Sequence, residues 1–399
     1  MKHPKPNRLC YALAQAVSWL VATCIFKRKF IRNEIKGKKG PFVVLANHQA
    51  AYDFVNLIGA TSRPMSFVIS QSFFSTLPIQ GFLKKMGVIP KQQFQTGACD
   101  LKKMKAVVER GDPLVIYPAG LMCEDGLSTP IPGATYKFIK WMDADIYVAR
   151  TTGTYFVMPK WSKGFRPGRT YMDIYKLFSK EELHTLSVDQ IREKADAALL
   201  YDAYREQEEK KILYKKGGNI RGLENVLYVC PDCGKEFTVT AVADNTLRCS
   251  ACGFEAVSDA YGLLTTNRKP LRYVSDWSRM IQEDLRKKRL AGEDLSLSSP
   301  VEIRVVDEKK HKFVTAGSGL LDMHNGEFRL EGQIFGEHKK IVIPAGAVPT
   351  LPFSPGKYLE LQDGGMIYRC LPEQGKLSMK FINILKVCFA LTRGRKVPA

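Results

Sequence analysis

The feature that most restricts the fold is an alternation of segment types between Pro41 and Arg150. Five short apolar runs, FVVLA (42–46), MSFVI (65–69), GVIP (87–90), PLVIY (113–117) and DIYVA (145–149), read as buried strands. Helix-prone stretches lie between them, around 52–62, 72–85, 99–110 and 133–142. Runs this apolar leave no polar face, so both sides of each strand need cover. Such alternation builds an α/β layer fold, a mainly parallel sheet with flanking helices. Further on, 180–212 is charged and helix-prone. Ser187 is its expected N-cap, and Ile191, Ala195, Ala198 and Leu199 form the stripe that packs on the core.

Hydrophobic residues make up 45% of the 399 and charged residues 25%, which excludes a disordered or collagenous polymer. A chain of this length buries a core without disulfide staples. Its ten cysteines therefore read as thiols of a reducing, cytosolic environment rather than a secreted scaffold. Lys and Arg number 60 against 40 for Asp and Glu, a formal charge of +20. That excess implies an anionic partner: nucleic acid, an anionic membrane surface or a phosphorylated substrate.

Much of the excess sits near the start, where Glu34 is the lone acid between Lys2 and Lys39. Within it, Leu9 to Phe26 is largely apolar, with Lys5 and Arg8 before it and Lys27, Arg28, Lys29 and Arg32 after it. A hydrocarbon core takes about 20 residues to cross, so this run is marginal for a span. KRKF stands where a signal peptide wants small residues. Residues 1–40 are thus expected to be a membrane-associating segment, its helix shallow in the cytoplasmic leaflet and its basic rim on anionic lipid. A buried core helix is the alternative.

The first chemical signal follows the first strand: Asn47-His48-Gln49-Ala50-Ala51-Tyr52-Asp53. On one continuous helix His48 and Asp53 would point about 140° apart, at 100° per residue. They meet only if the chain turns between them, and a strand end followed by a helix start supplies that turn. Asp53 then holds one imidazole nitrogen and leaves the other as a base. A surface His with an N-capping Asp is the bland alternative.

Three more segments join this pair. The second is Gly87-Val88-Ile89-Pro90-Lys91, a strand ending in a basic residue. The third is the turn Tyr117-Pro118-Ala119-Gly120, and the fourth a strand with a later Pro, Ile146 to Pro159. Order and spacing across 41–165 resemble the phospholipid/glycerol acyltransferase family, which includes 1-acylglycerol-3-phosphate acyltransferases. The resemblance implies a membrane-associated O-acyltransferase. It would move a fatty acyl chain from acyl-CoA or acyl carrier protein to a hydroxyl of a lysophospholipid-like or glycerol phosphate-like acceptor. His48 and Asp53 would be catalytic; Asn47, Lys91, Tyr117, Gly120 and Glu124 would contact substrate, Lys91 standing for the usual Arg.

The third block departs from that family. Its Glu is Ala119, and its Thr-Arg pair is Leu121-Met122. A carboxylate for the acceptor hydroxyl and an Arg for bidentate phosphate contact are both missing. Glu124 or Asp125 could substitute for the carboxylate. Either the acceptor is no simple glycerol phosphate, or another base such as Lys102, Lys103 or Lys160 holds it.

Cys230-Pro-Asp-Cys233 and Cys249-Ser-Ala-Cys252 stand fifteen residues apart, each followed by Gly. This spacing reads as a four-cysteine zinc ribbon. With all four positions filled by thiolate, the Zn2+ is structural. Residues 300–370 break into short β-rich pieces, and 378–393 reads as a final helix. Six or seven strands and one helix resemble the pleckstrin-homology-like (PH-like)/GRAM-like group of small barrels. The expected layout is 1–40, an acyltransferase-like domain 41–215, zinc ribbon 225–262, helical connector 263–298 and PH-like domain 299–399. Two other readings compete: a catalytically degenerate lipid-binding scaffold, suggested by Ala119, and a nucleic-acid-binding zinc-ribbon protein. The second lacks RNA-recognition aromatics, and no nucleic acid partner is expected.

Overall fold

The computed structural model describes residues 3–94 and 97–392. They fall into two compact units, one of residues 3–94, 97–159 and 164–216, the other of 160–163 and 217–392.

The first unit is built on a seven-stranded sheet. Its strands are β1 (Arg28–Asn33), β2 (Phe42–Ala46), β3 (Ser66–Ser70), β4 (Ile89–Lys91), β5 (Leu114–Ile116), β6 (Asp145–Thr152) and β7 (Thr170–Phe178). They lie in the order β1-β7-β6-β2-β5-β3-β4. All adjacent pairs are parallel except β6 with β7. Every residue of β2 is buried, as its unbroken apolar run requires at the middle of a sheet covered on both faces. Full burial of a Val, Leu or Phe contributes about 1.5–3 kcal/mol, so this strand anchors the layer.

The helices are α1 (Arg8–Cys24), α2 (Asp53–Ile58), α3 (Gln71–Ser75), α4 (Gln80–Lys85), α5 (Ala98–Glu109), α6 (Ala134–Met142), α7 (Thr154–Val157), α8 (Lys180–Thr185), α9 (Val188–Leu199) and α10 (Ala203–Lys210). Ser187 caps α9 by accepting from the Gln190 amide, and the Gln190 side chain accepts in return from the Ser187 amide. Such a cap is worth about 1 kcal/mol. The buried face of α9 is Ile191, Ala195, Ala198 and Leu199, as its periodicity predicts. The single helix expected over 72–85 is two, α3 and α4, because Pro78 lies between them and cannot continue a helix.

Strands β1 and β7 are additions to the sequence reading. The expected basic rim changes accordingly: Arg28 donates to the Asn56 carbonyl, and Arg32 forms a two-point contact with Asp173 at 2.9 and 3.0 Å. Helix α1 belongs to the first unit, with Tyr11, Ala14, Ser18 and Ala22 buried. Its opposite face is also apolar yet open: Leu9 is 80% exposed, Leu13 59%, Val17 57% and Leu20 56%. Among the described residues no helix is long and apolar enough to cross a membrane.

The second unit contains a four-stranded antiparallel sheet of β8 (Val239–Ala243), β9 (Thr246–Cys249), β10 (Glu255–Ser258) and β11 (Leu264–Thr266). Helix α11 (Val274–Leu290) follows. Then come seven strands: β12 (Ser296–Asp307), β13 (Lys312–His324), β14 (Glu327–Ile334), β15 (Glu337–Ile343), β16 (Phe353–Ser354), β17 (Tyr358–Asp363) and β18 (Met366–Pro372). They form one antiparallel sheet in the order β15-β14-β13-β12-β18-β17-β16. Helix α12 (Leu377–Thr392) closes it, burying Met379, Phe381, Ile382 and Leu385. The final helix expected over 378–393 is α12; Arg393 lies outside the described residues.

Candidate active site

At the end of β2 the chain leaves the sheet as a tight loop, residues 47–52, and re-enters regular structure at Asp53, the first residue of α2. The loop wraps around the Asp53 carboxylate. Asp53 Oδ2 accepts from the amides of Gln49 at 2.7 Å and Ala50 at 2.9 Å, and lies 3.0 Å from His48 Nδ1. The carboxylate is 1% exposed and the imidazole 20%. Only a charge held by several hydrogen bonds sits so deep without large cost. The arrangement assigns the proton on Nδ1 to the Asp53 bond, which leaves Nε2 as an acceptor. A His in that tautomer can take a proton from a hydroxyl, and the carboxylate stabilises the imidazolium that results.

The Tyr117 ring lies against the imidazole, centroids 4.5 Å apart. Burial, and then the Asp53 charge, raise its pKa well above the ordinary value, so the phenol stays neutral. Gly120 takes φ +73°, a left-handed turn that glycine adopts without strain, and its carbonyl accepts from Gln93. The Asn47 side chain bonds β6 with both ends, donating to the Thr151 carbonyl at 2.8 Å and accepting from the Thr151 amide at 2.8 Å. It ties the loop to the neighbouring strand.

A small cleft opens beside His48, lined by Ala46, Asn47, Pro118 and Ala119. Ser128, Thr129 and Ile131 line it too, with Leu199, Leu200 and Tyr201. Its volume of about 10 Å³ holds about one water. It is too small for a fatty chain in this conformation. Lys91, Gly120 and Glu124 do not line it. Glu124 is buried, and Lys91 donates to the Gln92 carbonyl at 3.0 Å.

Tyr201 is a site residue that the sequence reading missed. Its hydroxyl donates to the His48 carbonyl at 3.0 Å. Burial, followed by interaction with Cys123, holds its pKa well above the ordinary phenol value, so it keeps the proton it donates. Nothing in sequence links positions 48 and 201; the fold brings them together. We expect Tyr201→Phe to lower kcat about 2- to 10-fold, the value of one neutral hydrogen bond, with KM unchanged. A shift in melting temperature with kcat intact would show that the bond serves stability alone.

The family model described as Acyltransferase matches residues 27–159. These residues form an acyltransferase-family domain. Both the His48–Asp53 pair and the Ala119 turn fall inside the acyltransferase match, whereas Ser187 and Tyr201 fall outside it. The structure is similar to the crystal structure of the 1-acyl-sn-glycerophosphate (LPA) acyltransferase PlsC from Thermotoga maritima, at 15% identity and a TM-score of 0.42. That likeness covers 51% of this chain and 79% of the other. A second solved structure, the Ran binding domain of the nuclear complex component Nup2 from Ashbya gossypii, is similar at 10% identity and a TM-score of 0.20, covering 26% of this chain and 98% of the other. No curated protein sequence matches the chain.

In the second unit, the four cysteines of the two CxxC pairs converge. The sulfurs of Cys230, Cys233, Cys249 and Cys252 lie within 4.8 Å of one another. Cys230 and Cys252 are 3.7 Å apart, Cys233 and Cys249 3.8 Å. Disulfide sulfurs lie about 2.05 Å apart. A tetrahedron with metal–sulfur bonds of about 2.3 Å has edges of about 3.8 Å, so the residues fit a metal ion. Each knuckle closes through a glycine at positive φ, Gly234 at +71° and Gly253 at +73°. Burial opposes ionisation of Cys249, but the Thr238 hydroxyl and the amides of Ala251 and Cys252 bring its pKa down to about 6.

Proposed function

We propose that the chain is an O-acyltransferase that moves a fatty acyl group from acyl-CoA or acyl carrier protein to a lipid hydroxyl. The observation that carries this reading is the 3.0 Å contact of His48 Nδ1 with an Asp53 carboxylate fixed by two amides. His48 Nε2 takes the acceptor hydroxyl's proton as that oxygen attacks the thioester carbonyl. The C–O bond forms, the C–S bond breaks, and the imidazolium returns its proton to the leaving thiolate. General base catalysis of this kind contributes about 10²–10⁴ in rate. Asn47 and Tyr201 hold the loop that carries the imidazole. The reading is tested by release of free thiol from acyl-CoA that depends on added acceptor lipid; acceptor-independent or absent release would overturn it.

The reading extends to a membrane at the cytoplasmic side. The exposed stripe Leu9, Leu13, Val17 and Leu20 on α1, with Lys5 and Arg8 before it and Lys27 and Lys29 beyond it, supports a helix resting on anionic lipid. We expect the protein to sediment with vesicles containing phosphatidylglycerol. The double variant Leu13→Asp, Val17→Asp should bind at least about tenfold more weakly, since each charge opposes burial in the interface. Equal sedimentation of the two proteins would remove α1 as the contact. The four thiolates at tetrahedral spacing support structural zinc, coordinatively closed, in a ribbon over 225–262. The seven-stranded sheet closed by α12 supports a PH-like reading of 299–399.

A further inference from the structure

The cleft beside His48 contains an unexpected absence of charge. Among the described residues no Lys, Arg, Asp or Glu lines it. Its lining includes the apolar Ile131, Leu199 and Leu200 and the hydroxyl-bearing Ser128, Thr129 and Tyr201. Ala119 lines the cleft where the family resemblance implies a carboxylate, and Met122, outside the lining, stands where it implies an arginine.

Of the four lysines that could have compensated, three are engaged elsewhere, and Lys102 is exposed and does not line the cleft. Lys91 reaches the Gln92 carbonyl at 3.0 Å, and Lys103 pairs with Asp100 at 3.2 Å. Lys160 belongs to the second unit, its ammonium over the Phe353 ring. A phosphate held at the edge of this cleft would gain no cation from its lining, which disfavours binding. A hydroxyl suffers no such loss. Ser128 Oγ accepts from the Tyr201 amide at 3.2 Å, and its own proton is left to donate to an entering oxygen.

We propose that the acceptor is an uncharged lipid alcohol, a hydroxyl on a head group that carries no phosphate. This inference rests on the acyl-transfer reading above and names the substrate class for the same site. The balance is unchanged: the alcohol's proton passes through His48 to the thiolate, and the products are a neutral ester and a free thiol.

The test uses the full chain with acyl-CoA and acceptors of matched chain length, monoacylglycerol against lysophosphatidate, with the ester identified by mass spectrometry. The expected kcat/KM for monoacylglycerol is about 10- to 100-fold above that for lysophosphatidate, the worth of one hydrogen bond to a charged group. Preference for lysophosphatidate, or equal use of both, overturns the inference and leaves acyl transfer standing. No ester from either acceptor above the level of His48→Ala overturns both.

Discussion

Replacing His48 by alanine is expected to lower kcat by about 10²–10⁴, the range for loss of a general base, while stability changes by less than about 1 kcal/mol. The two halves of this expectation come from different parts of the geometry. The imidazole is 20% exposed and its described side-chain hydrogen bond is to Asp53. When it is removed, Asp53 Oδ2 keeps the amides of Gln49 and Ala50, so that oxygen is not stranded. The backbone bond from Tyr201 is also kept, because it ends on the carbonyl of residue 48 rather than its ring. KM should move little, since Nε2 gains its interaction as the proton transfers and not when substrate binds. A large drop in melting temperature with proportionate loss of activity would instead mark His48 as a structural residue.

The second large effect concerns the metal. The intact protein is expected to hold one zinc ion per chain by elemental analysis, and chelation or Cys249→Ser is expected to remove it and to unfold the β8–β11 sheet. The core available to that sheet is small: Val239, Leu247, Ala256 and Leu264 are the buried aliphatic side chains of its strands, with Phe254 just before β10. Structural zinc contributes about 10–16 kcal/mol in small domains, more than most whole domains possess as net stability, about 5–15 kcal/mol. Cys249 lies within β9, so the substitution strikes a ligand and a strand together. Hydrogen exchange at the Leu247 and Val239 amides reads the outcome. Protection retained after the metal has gone would show that the sheet folds without it.

The parts of the molecule that were legible in sequence share one physical trait: their determinants are local. FVVLA announces β2 because a strand covered on both faces has no polar position. Ser187 announces α9 because a cap and its reciprocal Gln190 lie three residues apart. The His48–Asp53 pair and the four cysteines are spacings within short segments. Strands β1 and β7 carry weaker signals. Arg28–Asn33 is charged and buries no residue at the sheet edge, and its basic residues suggested lipid rather than Asp173 and Asn56. Strand β7 alternates between buried and half-exposed positions instead of running apolar. The partners of the site loop were out of reach for another reason: Thr151 is 104 residues from Asn47, and Tyr201 is 153 from His48. Such contacts are set by sheet order and helix packing, which no local pattern encodes. The cleft's want of charge was visible at one position, Ala119. Its full extent needed the fold to bring Leu199–Tyr201 alongside.

The account depends above all on His48 passing a proton from a lipid hydroxyl to a departing thiolate. The most direct measurement supplies isotope-labelled acyl-CoA and a total lipid extract to the full-length protein and follows the label by mass spectrometry. The account predicts label in a new lipid ester, formed by the wild type and not by His48→Ala. Label recovered solely as acyl-CoA or free fatty acid, or ester formed equally by both proteins, would contradict it.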